Sequence, residues 1–134
     1  MPANDEKHFC KPTDVQVSSE TKFVYVSDGY CNSRIVVYDI NGKFLKQFGL
    51  EQQMKVPHSL SLIEELDLIC VADRENSRIL CFNAGIQDQN KLGEFKKELS
   101  PPPPPFGYTD HLYAIQNIGN FDIDIELTLE LYFD

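Results

Sequence analysis

Val24-Tyr25-Val26-Ser27-Asp28, followed by Asn32-Ser33-Arg34-Ile35-Val36-Val37-Tyr38, recurs as Ile69-Cys70-Val71-Ala72-Asp73 followed by Asn76-Ser77-Arg78-Ile79-Leu80-Cys81-Phe82. Each copy opens on a matching upstream run, Lys11-Pro12-Thr13-Asp14-Val15-Gln16-Val17 and Val56-Pro57-His58-Ser59-Leu60-Ser61-Leu62. Pro12 and Pro57 stand 45 residues apart, as do Asp28 and Asp73. Asn32 and Asn76 stand 44 apart, so the second copy is one turn residue shorter. Short alternating or β-branched runs between turn residues are strand signals, not helix signals. Asn41-Gly42, a hairpin dipeptide, leads into a fourth strand over residues 43–48. Four short strands per unit of ~45 residues is the pattern of a β-propeller blade. An ordinary antiparallel sandwich would need five ordered motif matches to arise by chance. The expected fold is therefore all-β: a propeller fragment of about two blades, with repeats at 11–49 and 56–99 inside a domain at 8–100. A propeller closes only with about four or more blades, so the chain reads as an excerpt of one.

The remainder has a different texture. Five consecutive prolines at 101–105 must be extended and read as a linker, because proline cannot join a sheet interior. In the divergent tail at 106–134, apolar Phe121, Ile123, Ile125, Leu127, Leu129, Leu131 and Phe133 alternate with mostly acidic neighbours. That period of two predicts an acidic C-terminal strand at 121–133, a sticky edge unless a partner sheet receives its apolar face.

Net charge is −9 across 134 residues. Residues 110–134 hold six acids and no Lys or Arg. Binding to nucleic acid rests on Lys and Arg neutralising phosphates, so the balance speaks against DNA or RNA, and against an RNA-binding propeller of the same repeat class. No apolar run reaches the ~18–20 residues of a membrane span, and the polar opening Met1-Pro2-Ala3-Asn4-Asp5 carries no signal-peptide pattern.

Four cysteines allow three pairings. If Asp73 faces Arg78 across the intervening turn, Cys70 faces Cys81, and directly opposed residues lie within disulfide reach. Cys10 and Cys31 then remain for a second bridge. Four buried free thiols are the competing reading. Two bridges imply an oxidising compartment.

Blade geometry brings three side chains to one face. His58 sits at the start of an innermost strand, while Tyr30 and Arg74 lie in the turns between second and third strands of successive blades. An imidazole, a phenol and a fixed positive charge make a site that can bind metal and move a proton. Blander roles exist for each: Tyr30 filling a turn, Arg74 pairing with Glu75, His58 as a satisfied structural histidine. Zinc takes three or more protein ligands, and the first-blade counterpart of His58 is Thr13. His8 and His111 fall outside the repeat position and read as structural or exposed.

The sequence resembles the lyase domain of the peptidylglycine α-amidating monooxygenases, whose repeats are of the NHL type. The likeness lies in residues 8–15 (His8-Phe9-Cys10-Lys11-Pro12-Thr13-Asp14-Val15), residues 26–35 around Asp28-Gly29-Tyr30-Cys31, residues 56–60, and residues 70–79 around Asp73-Arg74-Glu75-Asn76. It covers roughly residues 8–84, continues weakly through Tyr113-Ala114-Ile115, and stops before the acidic tail. The resemblance implies a six-bladed propeller that cleaves a peptide ending in α-hydroxyglycine into an amidated peptide and glyoxylate. It implies His58 as one zinc ligand, Tyr30 as catalytic base, Arg74 as its electrostatic partner, and bridges Cys10–Cys31 and Cys70–Cys81. It further implies a secretory or extracellular setting. The family draws two more zinc histidines, another arginine and a calcium site from blades that have no counterpart in this sequence. The link from Gly49 to Val56 is also shorter than the family's. A lyase fragment incomplete as a catalyst is thus the expectation. The alternative is a non-catalytic NHL-repeat module that binds peptide or protein, or associates with itself, through open sheet edges.

Overall fold

A computed structural model describes residues 8–99, 112–117 and 129–133. The first repeat folds as β1 (Pro12–Val17), β2 (Val24–Asp28), β3 (Arg34–Tyr38) and β4 (Phe44–Phe48), an antiparallel sheet in chain order. The second repeats it as β5 (Pro57–Ile63), β6 (Leu68–Asp73), β7 (Arg78–Asn83) and β8 (Phe95–Leu99). These are two successive blades, as the period of the sequence predicts. The β6–β7 register is Asp73 opposite Arg78, Ala72 opposite Ile79, Val71 opposite Leu80 and Cys70 opposite Cys81. The β3–β4 hairpin turns at Asn41-Gly42, where Gly42 takes the positive φ of +85° that the turn requires.

Alternation along the strands sends one face of each blade into a shared core. Tyr25, Ile35, Val37 and Phe48 from the first blade meet Leu60, Ile69, Val71, Leu80 and Phe82 from the second. The Phe48 and Phe82 rings lie 5.0 Å apart at a tilt of 54°. Burying each large side chain contributes roughly 1.5–3 kcal/mol, so this interface holds the blades together. Tyr25 is fully buried yet satisfied, its hydroxyl donating to the Ala84 carbonyl at 2.7 Å. Burial, with the nearby Asp67 carboxylate, pushes its phenol far above the ordinary range.

Polar contacts add a second seam. Asp14 accepts the Leu60 backbone N–H at 2.8 Å, and Glu64 accepts from the hydroxyls of Ser18 and Ser19 and the Ser19 N–H. The Ser19 hydroxyl, aided by Ser18 and working against the burial penalty, holds the Glu64 carboxyl below the usual carboxylate range.

The tail pairs β9 (Leu112–Asn117) antiparallel with β10 (Leu129–Phe133), and β9 runs beside β5 and β6. The strand expected over 121–133 is thus described at 129–133, with a partner strand that the sequence reading did not mark. Residues 121–128 and the prolines at 101–105 lie outside the described residues. Among the described residues no helix is long and apolar enough to cross a membrane.

Candidate active site

Both innermost strands begin irregularly. Pro12 pairs with Asp28 and Asp14 with Ser27, leaving Thr13 as an extra residue. Pro57 pairs with Asp73 and Ser59 with Ala72, leaving His58 as the extra residue in the second blade. Such a β-bulge takes a side chain out of the pleat's strict alternation and re-aims it. Lys11 and Val56, the residues before each proline, have φ values of +58° and +62°. Positive φ is costly for a β-branched residue, so Val56 stores strain at the start of the bulge.

The second-to-third-strand turns are held by the same device in both blades. Asp28 accepts from Arg34 Nε at 3.0 Å, Asn32 Nδ2 at 2.6 Å and the Cys10 backbone N–H at 2.7 Å. Asp73 accepts from Arg78 Nε at 2.7 Å, Asn76 Nδ2 at 2.8 Å and the Lys55 backbone N–H at 2.6 Å. A buried aspartate therefore ties each turn to the segment that enters the innermost strand. Burial pulls the Arg78 guanidinium down, but hydrogen bonds and charge from Asp73 and Glu98 outweigh it and raise its pKa overall. The Cys10–Cys31 bridge, with Cα atoms 5.5 Å apart, clamps the first turn beside Tyr30. The Cys70–Cys81 bridge spans directly opposed residues with Cα atoms 4.0 Å apart, and all four cysteines are paired.

Tyr30 stands 49% exposed on its turn, and its ring meets the half-buried His58 edge-on, centroids 6.1 Å apart and planes at 81°. The close approach depends on Gly29. A Cβ there would overlap the Pro57 carbonyl oxygen and lie 2.9 Å from Thr13 Cγ2. Arg74 opens the short 3-10 turn Arg74–Asn76, and its backbone N–H donates to the Val56 carbonyl at 3.2 Å, two residues before His58. Its side chain also meets Glu75, Nε to Oε1 3.5 Å, both partly exposed. The fold thus joins Tyr30 and His58 ring to ring and anchors Arg74 by its backbone to the strand that carries His58.

Among the described residues no group of three His, Cys, Asp or Glu converges on a point that would hold a metal. These residues do not by themselves make a zinc centre; His58 offers one imidazole. The sequence reading missed the two bulges, the Gly29 contact and the paired aspartate clamps. The last had a visible signal, an Asp followed by Asn-Ser-Arg in both repeats.

The blades are of a recognised kind: the NHL repeat family model matches residues 9–38 and 55–82, which hold the first three strands of each blade. Whole-chain comparison is more specific. The chain is 52% identical to the peptidylglycine alpha-amidating monooxygenase of Rattus norvegicus over 129 residues, covering 90% of this chain and 12% of that protein. It is 45% identical to a probable peptidyl-alpha-hydroxyglycine alpha-amidating lyase of Caenorhabditis elegans, covering 68% of this chain and 27% of the relative. It is 39% identical to peptidyl-alpha-hydroxyglycine alpha-amidating lyase 2 of Drosophila melanogaster, over 75% of this chain and 25% of the relative. The chain is therefore an NHL-repeat homologue of the amidating monooxygenases and hydroxyglycine amidating lyases, and spans about a quarter or less of these relatives.

Proposed function

We propose that this chain is a piece of a peptidyl-α-hydroxyglycine α-amidating lyase, contributing one edge of the active site and incomplete as a catalyst by itself. The observation that carries the reading is the Tyr30–His58 ring contact at 6.1 Å, set between two clamped turns. The reaction needs little more than directed proton transfer. A base takes the proton from the α-hydroxyl; the oxygen's electron pair becomes the carbonyl of glyoxylate. The C–N bond breaks, and its electron pair stays with the nitrogen, which takes up a proton as the terminal amide. Tyr30, exposed and fixed by its turn, is assigned as the base. A phenol serves that role only beside fixed positive charge, which is the part assigned to Arg74. His58 would supply one ligand to a zinc, which would lower the pKa of the substrate hydroxyl. Two disulfides support a secretory or extracellular setting, where thiols oxidise and persist as bridges.

A chimera tests this reading. Residues 8–99 replace the matching stretch of the rat relative, and glyoxylate release from an α-hydroxyglycine peptide is measured. The chimera is expected to turn over, Tyr30→Phe to abolish turnover without unfolding, and Arg74→Ala to reduce it by roughly a hundredfold or more, as loss of a transition-state electrostatic contact does. A folded but inactive chimera, or full activity in Tyr30→Phe, would overturn the assignment.

A further inference from the structure

Thr13 occupies in the first blade the place His58 occupies in the second. Each follows a proline, each is the extra residue of a bulge, and each lies two residues beyond a positive φ. Where the second blade carries an imidazole, the first carries a hydroxyl, and that hydroxyl reaches across to the second blade. Thr13 Oγ1 donates to the Pro57 carbonyl oxygen at 2.8 Å and lies 2.7 Å from the hydroxyl of the fully buried Ser27. A hydroxyl has one proton to give. The Ser27 carbonyl at 3.2 Å is a second acceptor for Thr13, and the Asp14 carbonyl at 3.4 Å one for Ser27; the shortest contacts are both used when Ser27 donates to Thr13 and Thr13 donates to Pro57. The Pro57 carbonyl belongs to the planar peptide unit that joins Pro57 to His58, so a hydrogen bond on its oxygen fixes the plane from which His58 projects. The same oxygen faces Gly29 from the Tyr30 turn, with no room for a Cβ between them.

We infer that Thr13 is a positioning residue of the Tyr30–His58 site: its hydroxyl pins the Pro57–His58 peptide against the turn that bears Tyr30 and so sets the contact between the two rings. A bulge residue lacks the ladder pairing that orients its neighbours, and the strained Val56 just before it tends to relax the segment. The hydroxyl supplies the missing restraint from the adjoining blade. Its relevance to chemistry rests on the lyase reading, but its structural content does not.

The test uses the full chain and the imidazole NMR resonances of His58, assigned by their loss in His58→Gln. Tyr30→Leu removes the ring and defines the displacement that the contact causes. Thr13→Val, which keeps the shape and deletes the hydroxyl, is expected to move the His58 resonances most of the way to their Tyr30→Leu positions. Thr13→Ser is expected to return them, and Gly29→Ala to move them as Thr13→Val does. Urea midpoints recorded in parallel establish that each variant is folded. Should Thr13→Val not fold, Ser27→Ala is read instead and is expected to shift His58 in the same direction. Unmoved His58 resonances in a folded Thr13→Val or Ser27→Ala would overturn the proposal, as would failure of Thr13→Ser to restore them or of Tyr30→Leu to shift them. Because the readout is a ring contact and not turnover, an inactive chimera would count against the lyase reading while these shifts still supported Thr13.

Discussion

The two blades use one wiring scheme at different depths. In the first, Asp28 and Arg34 are both 0% exposed, and the partners of Arg34 include the neutral Gln47 side chain at 2.9 Å and the His8 carbonyl at 2.6 Å. In the second, Asp73 is equally buried but Arg78 is 23% exposed, and the partners are the charged Glu98 at 2.7 Å and the Gln52 carbonyl at 2.6 Å. A buried guanidinium needs every donor matched, and the Gln47 side chain and the His8 carbonyl serve that need in the first blade. Where water reaches the arginine, a second carboxylate costs little. The difference teaches that the repeat conserves a geometry, an aspartate tying turn to strand, and lets exposure choose the outer partner. That geometry is what delivers Tyr30 from one blade and Arg74 with His58 from the other.

Removing the arginines should separate the blades most sharply. Arg34→Met leaves Asp28 buried without its counter-charge and is expected to cost about 3–5 kcal/mol. Arg78→Met acts where water can partly compensate and is expected to cost about 1–3 kcal/mol. Urea unfolding of both variants checks the order, and equal losses would break the comparison. Glu98→Gln, which gives the second blade the first blade's kind of partner, should change stability by less than about 1 kcal/mol.

The bridges differ in the same sense. Cys70 and Cys81 are 0% exposed among Ile63, Ala72 and Ile79, whereas Cys31 is exposed and Cys10 half-buried. Deleting either bridge as a double alanine variant is expected to cost about 2–4 kcal/mol. Limited reduction followed by alkylation should label Cys10 and Cys31 first, because attack on a disulfide needs access to sulfur. Peptide maps showing Cys70 and Cys81 labelled first would contradict the burial difference.

A smaller effect belongs to the seam between blades. Glu64 is held below its ordinary pKa in the folded chain, so it stabilises the fold above the unfolded carboxylate range. That contribution falls away as pH drops through the lowered folded value. Glu64→Gln should lower the urea midpoint at neutral pH by an amount worth about 1 kcal/mol and flatten the acid limb of the stability profile. An unchanged acid limb would remove Glu64 from the seam.

Much of this was readable from the chain itself. The 45-residue spacing of Pro12 and Pro57 gave the blades, and placing Asp73 opposite Arg78 gave the register and the Cys70–Cys81 bridge, because pairing in a tight hairpin is set locally. The bulges at Thr13 and His58 were not readable. One inserted residue leaves the alternation on either side intact, and the residue before a proline is ordinarily extended, which Lys11 and Val56 are not. Likewise no local signal marks the constraint on Gly29, a carbonyl arriving from the other blade. Local chemistry writes strands and turns; the contacts that complete the site join the two blades, 28 residues apart for Tyr30 and His58 and 44 for Thr13 and Pro57.

On the proposed reading, these two blades carry part of a lyase site and not the whole of it. Purified chain 1–134, supplied with zinc and an α-hydroxyglycine peptide, tests it most directly through glyoxylate release. Among the described residues no three ligands converge on a point and His58 alone cannot make the three-ligand zinc geometry of a catalytic site, so no turnover above background is expected. Zinc-dependent glyoxylate release that disappears in His58→Ala would show that this chain alone suffices for catalysis.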